Sequence, residues 1–381
     1  MQNQPCLASP HVSWVENGEQ RTALWLTEYS GNAPRRIVAV DDTLTADTAF
    51  QLANQGTHML WRGDYHNARQ LLDALARRVD KKKRGKVAAT PQQAFNQHRL
   101  AQSRRARLLG SILLPVDAGF RIPLRRAPDV TAACEAVLGK VDQDLLLPLR
   151  VLQGIMGASE WRRKGMVIPA LEQSIHVHYG VFSPIRGEYI DLVANAPLPN
   201  TKLAFDIGTG SGVLAAILAR RGIEHVIATD VDERALACAR DNIERLGLTD
   251  RITLEKADLF PQGRCGLIVC NPPWLPARPT SSIEAAIYDP DNRMLGGFLS
   301  GLGEHLLPQG EGWLILSDLA EHLGLRDREF LAQAIRSAGL KVLGRLDARP
   351  KHPKAMDPDD PLHEARRAEV TTLWRLGRDD G

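Results

Sequence analysis

The feature that most restricts what this chain can become is Phe205-Asp206-Ile207-Gly208-Thr209-Gly210-Ser211-Gly212, three glycines alternating with small polar residues. Glycines let the backbone turn sharply and let a ligand approach the main chain with no Cβ in the way. Such a turn needs a strand leading in and a helix leading out. Lys202–Ile207 reads as that strand, and Ser211–Arg221, ended by Gly222, as that helix. The alternation continues downstream. Val226–Thr229 reads as a strand. Glu233–Leu246 reads as a helix with Leu236, Ala239, Ile243 and Leu246 along one stripe and Gly247 as its C-cap. Ile252–Leu254, Gly266–Cys270 and Trp313–Ser317 read as further short strands. The class implied is α/β, a mostly parallel sheet with helices on both faces and ligands at the carboxyl ends of the strands. Glu188–Ala194 predicts a helix ahead of this pattern, broken by Ala-Pro-Leu-Pro-Asn at 196–200. Glu369–Leu376 alternates and is β-rich, which predicts a final antiparallel hairpin strand.

A glycine turn alone also suits dinucleotides, but two details separate the cases. The G-x-G-x-x-G spacing would require glycine at 213, which is Val213. The surroundings are acidic, with Asp206 in the turn and Asp230, Asp232 and Asp258 at the ends of nearby elements. Carboxylates repel a pyrophosphate and suit a ligand bearing an ammonium, a sulfonium, a diol and an exocyclic amine. S-adenosyl-L-methionine has all four and no phosphate. Asp230, 24 residues after Asp206, is placed to take both ribose hydroxyls, with Val231 beside the adenine. Asp258, backed by Leu259, is placed to accept from the adenine amine. Any one of these aspartates alone reads as a helix cap or turn residue; together with the glycines they read as a cofactor site.

Cys270-Asn271-Pro272-Pro273-Trp274 ends the next strand. Methyl transfer from a sulfonium is an in-line displacement, so the protein mainly has to aim a nitrogen lone pair at the methyl carbon. A conjugated NH₂ is held for that by two acceptors, each taking one N–H: the Asn271 side-chain carbonyl and the Pro272 main-chain carbonyl. Pro272 and Pro273 fix φ and donate no competing N–H. Trp274 offers a flat face to a π system and to the cation developing on nitrogen. In isolation such a turn reads as structural; its place at a strand end makes it a catalytic candidate.

Residues 178–274 therefore resemble the class I S-adenosylmethionine-dependent methyltransferases that carry an Asn-Pro-Pro-aromatic motif, and within them the "small domain" ribosomal-RNA guanine methyltransferases. Gly180-Val181-Phe182-Ser183-Pro184 is similar to the segment those enzymes lay across the methionine end of the cofactor. The resemblance implies a Rossmann-like sheet with a final antiparallel hairpin. It also implies that Phe182, Asp206, Gly208, Gly210, Gly212, Asp230, Val231, Asp258, Leu259 and Asn271 bind the cofactor, and that Asn271, Pro272, Pro273 and Trp274 hold the target amine. A different enzyme class with the same needs, the release-factor glutamine methyltransferases, remains the alternative, along with small-molecule N-methyltransferases and a non-catalytic RNA-binding module. Pro276–Asp291 reads as a substrate lip with Arg278, Tyr288 and Arg293, or equally as an exposed loop.

The chain of 381 residues has room for two domains, here placed at 1–165 and 166–381. The first reads as a smaller mixed α/β accessory domain: a strand at Arg36–Val40, a helix after Asp42, a strand at Thr57–Trp61, and a helix at Asn67–Val79 burying Ala68, Leu71, Leu72 and Leu75. Arg77 to Arg107 holds eleven Lys or Arg against the single acid Asp80. The run from Asp80 to Gln93 reads as a loop, and the cluster either as an RNA-phosphate surface or as a solvated linker. His352, Lys354, Arg366 and Arg367 are further candidates for RNA contact. Five cysteines (Cys6, Cys134, Cys238, Cys265, Cys270) match no metal spacing. With no signal-like start and no apolar run of spanning length, the expected setting is cytoplasmic, with no membrane and no metal.

Overall fold

The computed structural model describes residues 11–26, 33–81, 88–280, 283–350 and 357–379. Cys6, His352, Lys354 and the basic residues Lys82, Lys83, Arg84 and Lys86 lie outside them. The chain forms two compact units, one of residues 1–87 and 96–160, the other of residues 88–95 and 161–381.

The first unit is built on a six-stranded sheet: β1 (His11–Glu16), β2 (Glu19–Trp25), β3 (Ile37–Val40), β4 (His58–Trp61), β5 (Ile112–Val116) and β6 (Leu145–Pro148), in the order β1-β2-β6-β5-β4-β3. β3, β4 and β5 are parallel neighbours. Their crossovers carry α1 (Ala46–Asn54), α2 (Tyr65–Asp80) and α3 (Pro91–Leu109); α4 (Thr131–Leu138) and α5 (Leu149–Lys164) follow. On α2 the expected stripe of Ala68, Leu71, Leu72 and Leu75 is buried. The basic run is not one loop. Arg77 and Arg78 end α2, and Pro91, at a position where its missing N–H costs nothing, opens the 19-residue helix α3 that carries Arg99, Arg104, Arg105 and Arg107. Proline and glycine read as loop signals concealed a helix start.

The second unit opens with the short pair β7 (Met166–Ile168) and β8 (Gln173–Ile175) and the helix α6 (Glu188–Asn195). Its main sheet comprises β9 (Leu203–Ile207), β10 (His225–Asp230), β11 (Ile252–Lys256), β12 (Cys265–Cys270), β13 (Leu306–Ser317), β14 (Leu340–Ala348) and β15 (Thr371–Arg378). The strand order is β11-β10-β9-β12-β13-β15-β14. The first five strands of this sheet run parallel, and β15 runs antiparallel to both β13 and β14. This is the mostly parallel sheet that the alternation implied, in the Rossmann-like form with a terminal antiparallel pair that the resemblance implied. The helices are α7 (Val213–Arg220), α8 (Glu233–Arg245), α9 (Arg293–His305), α10 (Leu319–His322), α11 (Phe330–Ser337) and α12 (His363–Ala368). Leu236, Ala239, Ile243 and Leu246 are all buried, as their spacing requires. The chain order reverses around β9, with β10 on one side and β12 on the other, and that reversal opens a crevice at the strand ends. β9 and β12 are buried almost throughout, since helices cover both their faces.

Candidate functional site

Register brings the predicted residues together. Ile207 pairs with Thr229 of β10 on one side and with Cys270 of β12 on the other. The next residues, Gly208, Asp230 and Asn271, therefore lie side by side at the carboxyl ends of the three strands.

Gly208, Gly210 and Gly212 adopt φ of +70°, +57° and +80°, a region that disfavours side chains. At Gly212 a Cβ would also lie 3.2 Å from Cα of Ala239 on α8. Asp206 is buried, and its carboxylate accepts the Thr209 hydroxyl at 2.6 Å and the Ala215 N–H at 3.1 Å. The resemblance implies that Asp206 is among the cofactor ligands; in the structure its side chain holds the glycine turn from beneath. Burial pushes its carboxyl up to about 6, against the pull of those two hydrogen bonds. The Thr209 N–H donates to the Thr229 carbonyl at 2.8 Å, which ties the turn to β10.

Asp230 is half-buried and accepts the Gly210 N–H at 3.0 Å and the Asp232 N–H at 2.9 Å. Burial raises its pKa in spite of those bonds. Beside it Val231 is 59% exposed, unusual for valine and fitting a wall against which a flat ring can lie. Asp258 is exposed and forms an ion pair at 2.7 Å with Arg293, so this arginine, expected on the lip, faces Asp258. Leu259 holds φ of +76° and accepts the Thr229 hydroxyl at 2.6 Å through its carbonyl.

Phe182 is partly buried against the core beneath β9, and Gly180 takes φ of +78°. A residue missed in the sequence fixes this segment. Asn242, 1% exposed on α8, accepts the His176 N–H at 2.6 Å and donates to the Ser211 carbonyl at 3.0 Å. It thus joins the strand before Gly180 to the glycine turn. Its signal was available: an amide flanked on the buried face by Ala239, Ile243 and Leu246.

At the end of β12, the Trp274 indole N–H donates to Asn271 Oδ1 at 2.9 Å. Because indole nitrogen only donates, this bond fixes which way the Asn271 amide points. It occupies one lone pair of the carbonyl and leaves the second. The Arg186 guanidinium lies 5.5 Å from the centroid of the Trp274 ring. Arg186 pairs at 3.1 Å with both Glu188 and Glu369, and Glu369 accepts the Ser317 hydroxyl at 2.7 Å. One face of the indole is therefore already engaged by a cation, which draws π density from the other face. That weakens the expectation that Trp274 stabilises a developing cation and favours stacking on a neutral ring. Arg326, its side chain 1% exposed, donates to the Trp274 carbonyl at 2.7 Å and to Asn292 Oδ1 at 3.1 Å. Neither arginine stood out in the sequence, where nothing links positions 186 and 326 to 274.

The segment after Trp274 is closed at its base. Leu275 and Tyr288 form a parallel bridge, and Asp289 donates its N–H to the Leu275 carbonyl at 2.8 Å. The buried Asp289 carboxylate accepts the Met294 and Leu295 N–H groups at the start of α9. Tyr288 packs edge-on to Phe95, its ring centroid 6.5 Å away. A small core of Phe95, Leu275, Leu319, Leu323 and Leu362 lies with it, so the lip is anchored.

Residues 192–272 match the family model described as ribosomal protein L11 methyltransferase (PrmA). The tRNA1(Val) (adenine(37)-N6)-methyltransferase of Shewanella loihica is 33% identical over 163 residues, covering 39% of this chain and 66% of that protein. The release factor glutamine methyltransferase of Cereibacter sphaeroides is 32% identical over 162 residues, covering 38% of this chain and 55% of that protein. In each case the match spans less than two-thirds of the relative's length. Among solved structures, the ribosomal protein L11 methylase of Lactobacillus delbrueckii aligns at 19% identity and a TM-score of 0.33, covering 49% of this chain and 74% of that one. The strand order, the glycine turn and the matched sequence identify the second unit as a class I methyltransferase domain.

Proposed function

We propose that this chain transfers a methyl group from S-adenosyl-L-methionine to a planar exocyclic amine, with an RNA base as its substrate. The observation that carries the reading is the register that sets Gly208, Asp230 and Asn271 side by side, with Trp274 orienting the Asn271 carbonyl. In this reading the glycine turn approaches the methionine and ribose parts of the cofactor through its backbone. Asp230 takes the ribose hydroxyls, and Val231 and Leu259 flank the adenine. Asp258 would take the adenine amine once released from Arg293. The free lone pair of Asn271 Oδ1 and the Pro272 carbonyl accept the two N–H groups of the target. Its nitrogen lone pair then points along the line of displacement. The methylated nitrogen becomes acidic and loses its proton without a strong base.

Two relatives support the nitrogen assignment, one named for adenine N6 and one for glutamine. Both names denote a conjugated NH₂ that needs the same two acceptors. The Arg186-backed indole favours a stacked neutral ring over a side-chain amide, which tips the reading toward RNA. Residues 1–165 serve in this account as the accessory recognition domain. Cys134, Cys238, Cys265 and Cys270 are all unpaired and buried, which suits a reducing cytoplasm. Among the described residues no helix is long and apolar enough to cross a membrane.

Calorimetry with S-adenosyl-L-methionine tests the assignment. Asp230→Ala should weaken binding about tenfold or more, while Asn271→Ala should retain binding and lose turnover by about 100-fold or more. Unchanged cofactor binding in the Asp230 variant would refute the site. The alternative of a protein glutamine substrate predicts turnover with little dependence on salt, whereas RNA binding falls steeply with salt.

A further inference from the structure

Sequence reading located the cationic surface at Arg77–Arg107, but the structure spends several of those charges internally. Arg105 grips Asp80 with two bonds, Nε at 2.7 Å and Nη2 at 2.9 Å. Arg78 pairs with Asp47 at 2.9 Å, and Arg104 donates to Asn54. A different pair in the same unit is arranged to face outward.

Asp64 caps α2, accepting the His66 N–H at 2.8 Å, and its side chain is 1% exposed. One of its oxygens, Oδ2, accepts from two consecutive arginines, Nε of Arg125 at 2.8 Å and Nε of Arg126 at 2.7 Å. The two Nε atoms are therefore no farther apart than the sum of those distances. Each guanidinium uses only Nε on Asp64, and among the described residues neither engages its Nη groups with another side chain. The side chains are 79% and 56% exposed. The backbone holds the pair as firmly: the Arg125 carbonyl accepts the Tyr65 N–H at 3.0 Å, and Arg126 sits at φ of +57°.

Two cations share one buried anion, with the Asp42 carboxylate also close to Arg125, and two forks of N–H donors are turned to solvent. Holding Nε removes much of the rotamer freedom that a long cationic side chain loses on binding. The free Nη edges match the spacing of phosphate oxygens. We propose that Arg125 and Arg126, set by Asp64, form a binding fork for the phosphodiester backbone of the RNA substrate. This rests on the RNA reading given above and adds a location to it.

Each single variant leaves one guanidinium on Asp64, so Arg125→Gln and Arg126→Gln preserve the cap and the buried pair. The probe is bulk transfer RNA from cells lacking this protein, with affinity measured by fluorescence anisotropy across a salt series. Each variant should bind several-fold more weakly at low salt. Each should also lower the slope of log affinity against log salt by about 0.7–0.9, the loss of one phosphate contact. Arg105→Gln, which removes the same charge from a guanidinium engaged on Asp80, should change the slope less than either. Equal losses in all three variants would reduce the effect to net charge and overturn the fork. Unchanged slopes in the Arg125 and Arg126 variants, with RNA still methylated by the wild type, would overturn the fork and leave the RNA reading standing. Absence of RNA binding by the wild type would overturn both, while methyl transfer to protein would then still show an active domain.

Discussion

Trp274 does more in the structure than present a flat face, and its neighbours explain how. Its N–H sets the Asn271 amide, Arg186 covers the ring, and Arg326 holds its carbonyl. Replacing Trp274 with Phe keeps an aromatic ring beside Arg186 but removes the only donor of the indole. Steady-state kinetics on the Trp274→Phe variant should show kcat lowered about tenfold, with cofactor affinity unchanged. An unaltered kcat would mean that Asn271 is oriented by something else. The candidate site residues were legible because they fall in short local runs: a glycine turn, a strand-end aspartate, an Asn-Pro-Pro-Trp run. Arg186, Asn242 and Arg326 were not, because each acts across folds of the chain that spacing does not reveal. Asp206 was legible as important, but its bonds to Thr209 and Ala215 were not, since sequence cannot say which side of a loop a carboxylate faces.

The ionisation of Asp206 makes a second residue-scale prediction. Burial holds its folded-state pKa near 6, above the ordinary 3.8, so the folded protein binds this proton more tightly than the unfolded chain. The stabilisation is complete below the ordinary value and is lost as pH rises through about 6. Between pH 5 and 7.5 the wild type should therefore lose about 1–2 kcal/mol relative to the Asp206→Asn variant. Urea unfolding of both proteins at several pH values measures this. A difference independent of pH would show that the carboxylate is not strained by burial.

Among the elements, the strand–turn–helix unit from β9 to α7 carries the cofactor assignment, and its geometry is unforgiving at one position. Gly212 combines a left-handed φ with a close approach to α8. Gly212→Ala should cost about 1–3 kcal/mol of stability, read as a lower urea midpoint, and should weaken cofactor binding in parallel. A stable variant with intact binding would show that the turn tolerates a side chain. Helix boundaries follow the same logic. The α7 helix begins at Val213, two residues later than the pattern suggested, because Gly212 is not helical. The error at α3 has a different cause. Its start is signalled by Pro91, and its composition is polar and basic, with little apolar stripe to announce a 19-residue helix. Periodicity reveals a helix through the face it buries, and α3 shows that face weakly.

At the scale of the whole molecule, the second unit was legible because a doubly wound sheet writes its topology as a regular alternation with glycines at the strand ends. The first unit was not, because its six strands mix parallel and antiparallel neighbours: β6 lies between β5, the strand just before it in the chain, and β2, which is far from it in sequence order. Only the pieces with local alternation, β3-α1-β4-α2, were readable in advance. What the molecule does is tested by transfer of a radiolabelled methyl group from S-adenosyl-L-methionine into an extract of cells lacking this protein. An RNA methyltransferase should yield labelled material that ribonuclease destroys and protease does not, absent with the Asn271→Ala variant. Label removed by protease and resistant to ribonuclease would contradict the RNA assignment, and no label in any fraction would contradict the proposed activity itself.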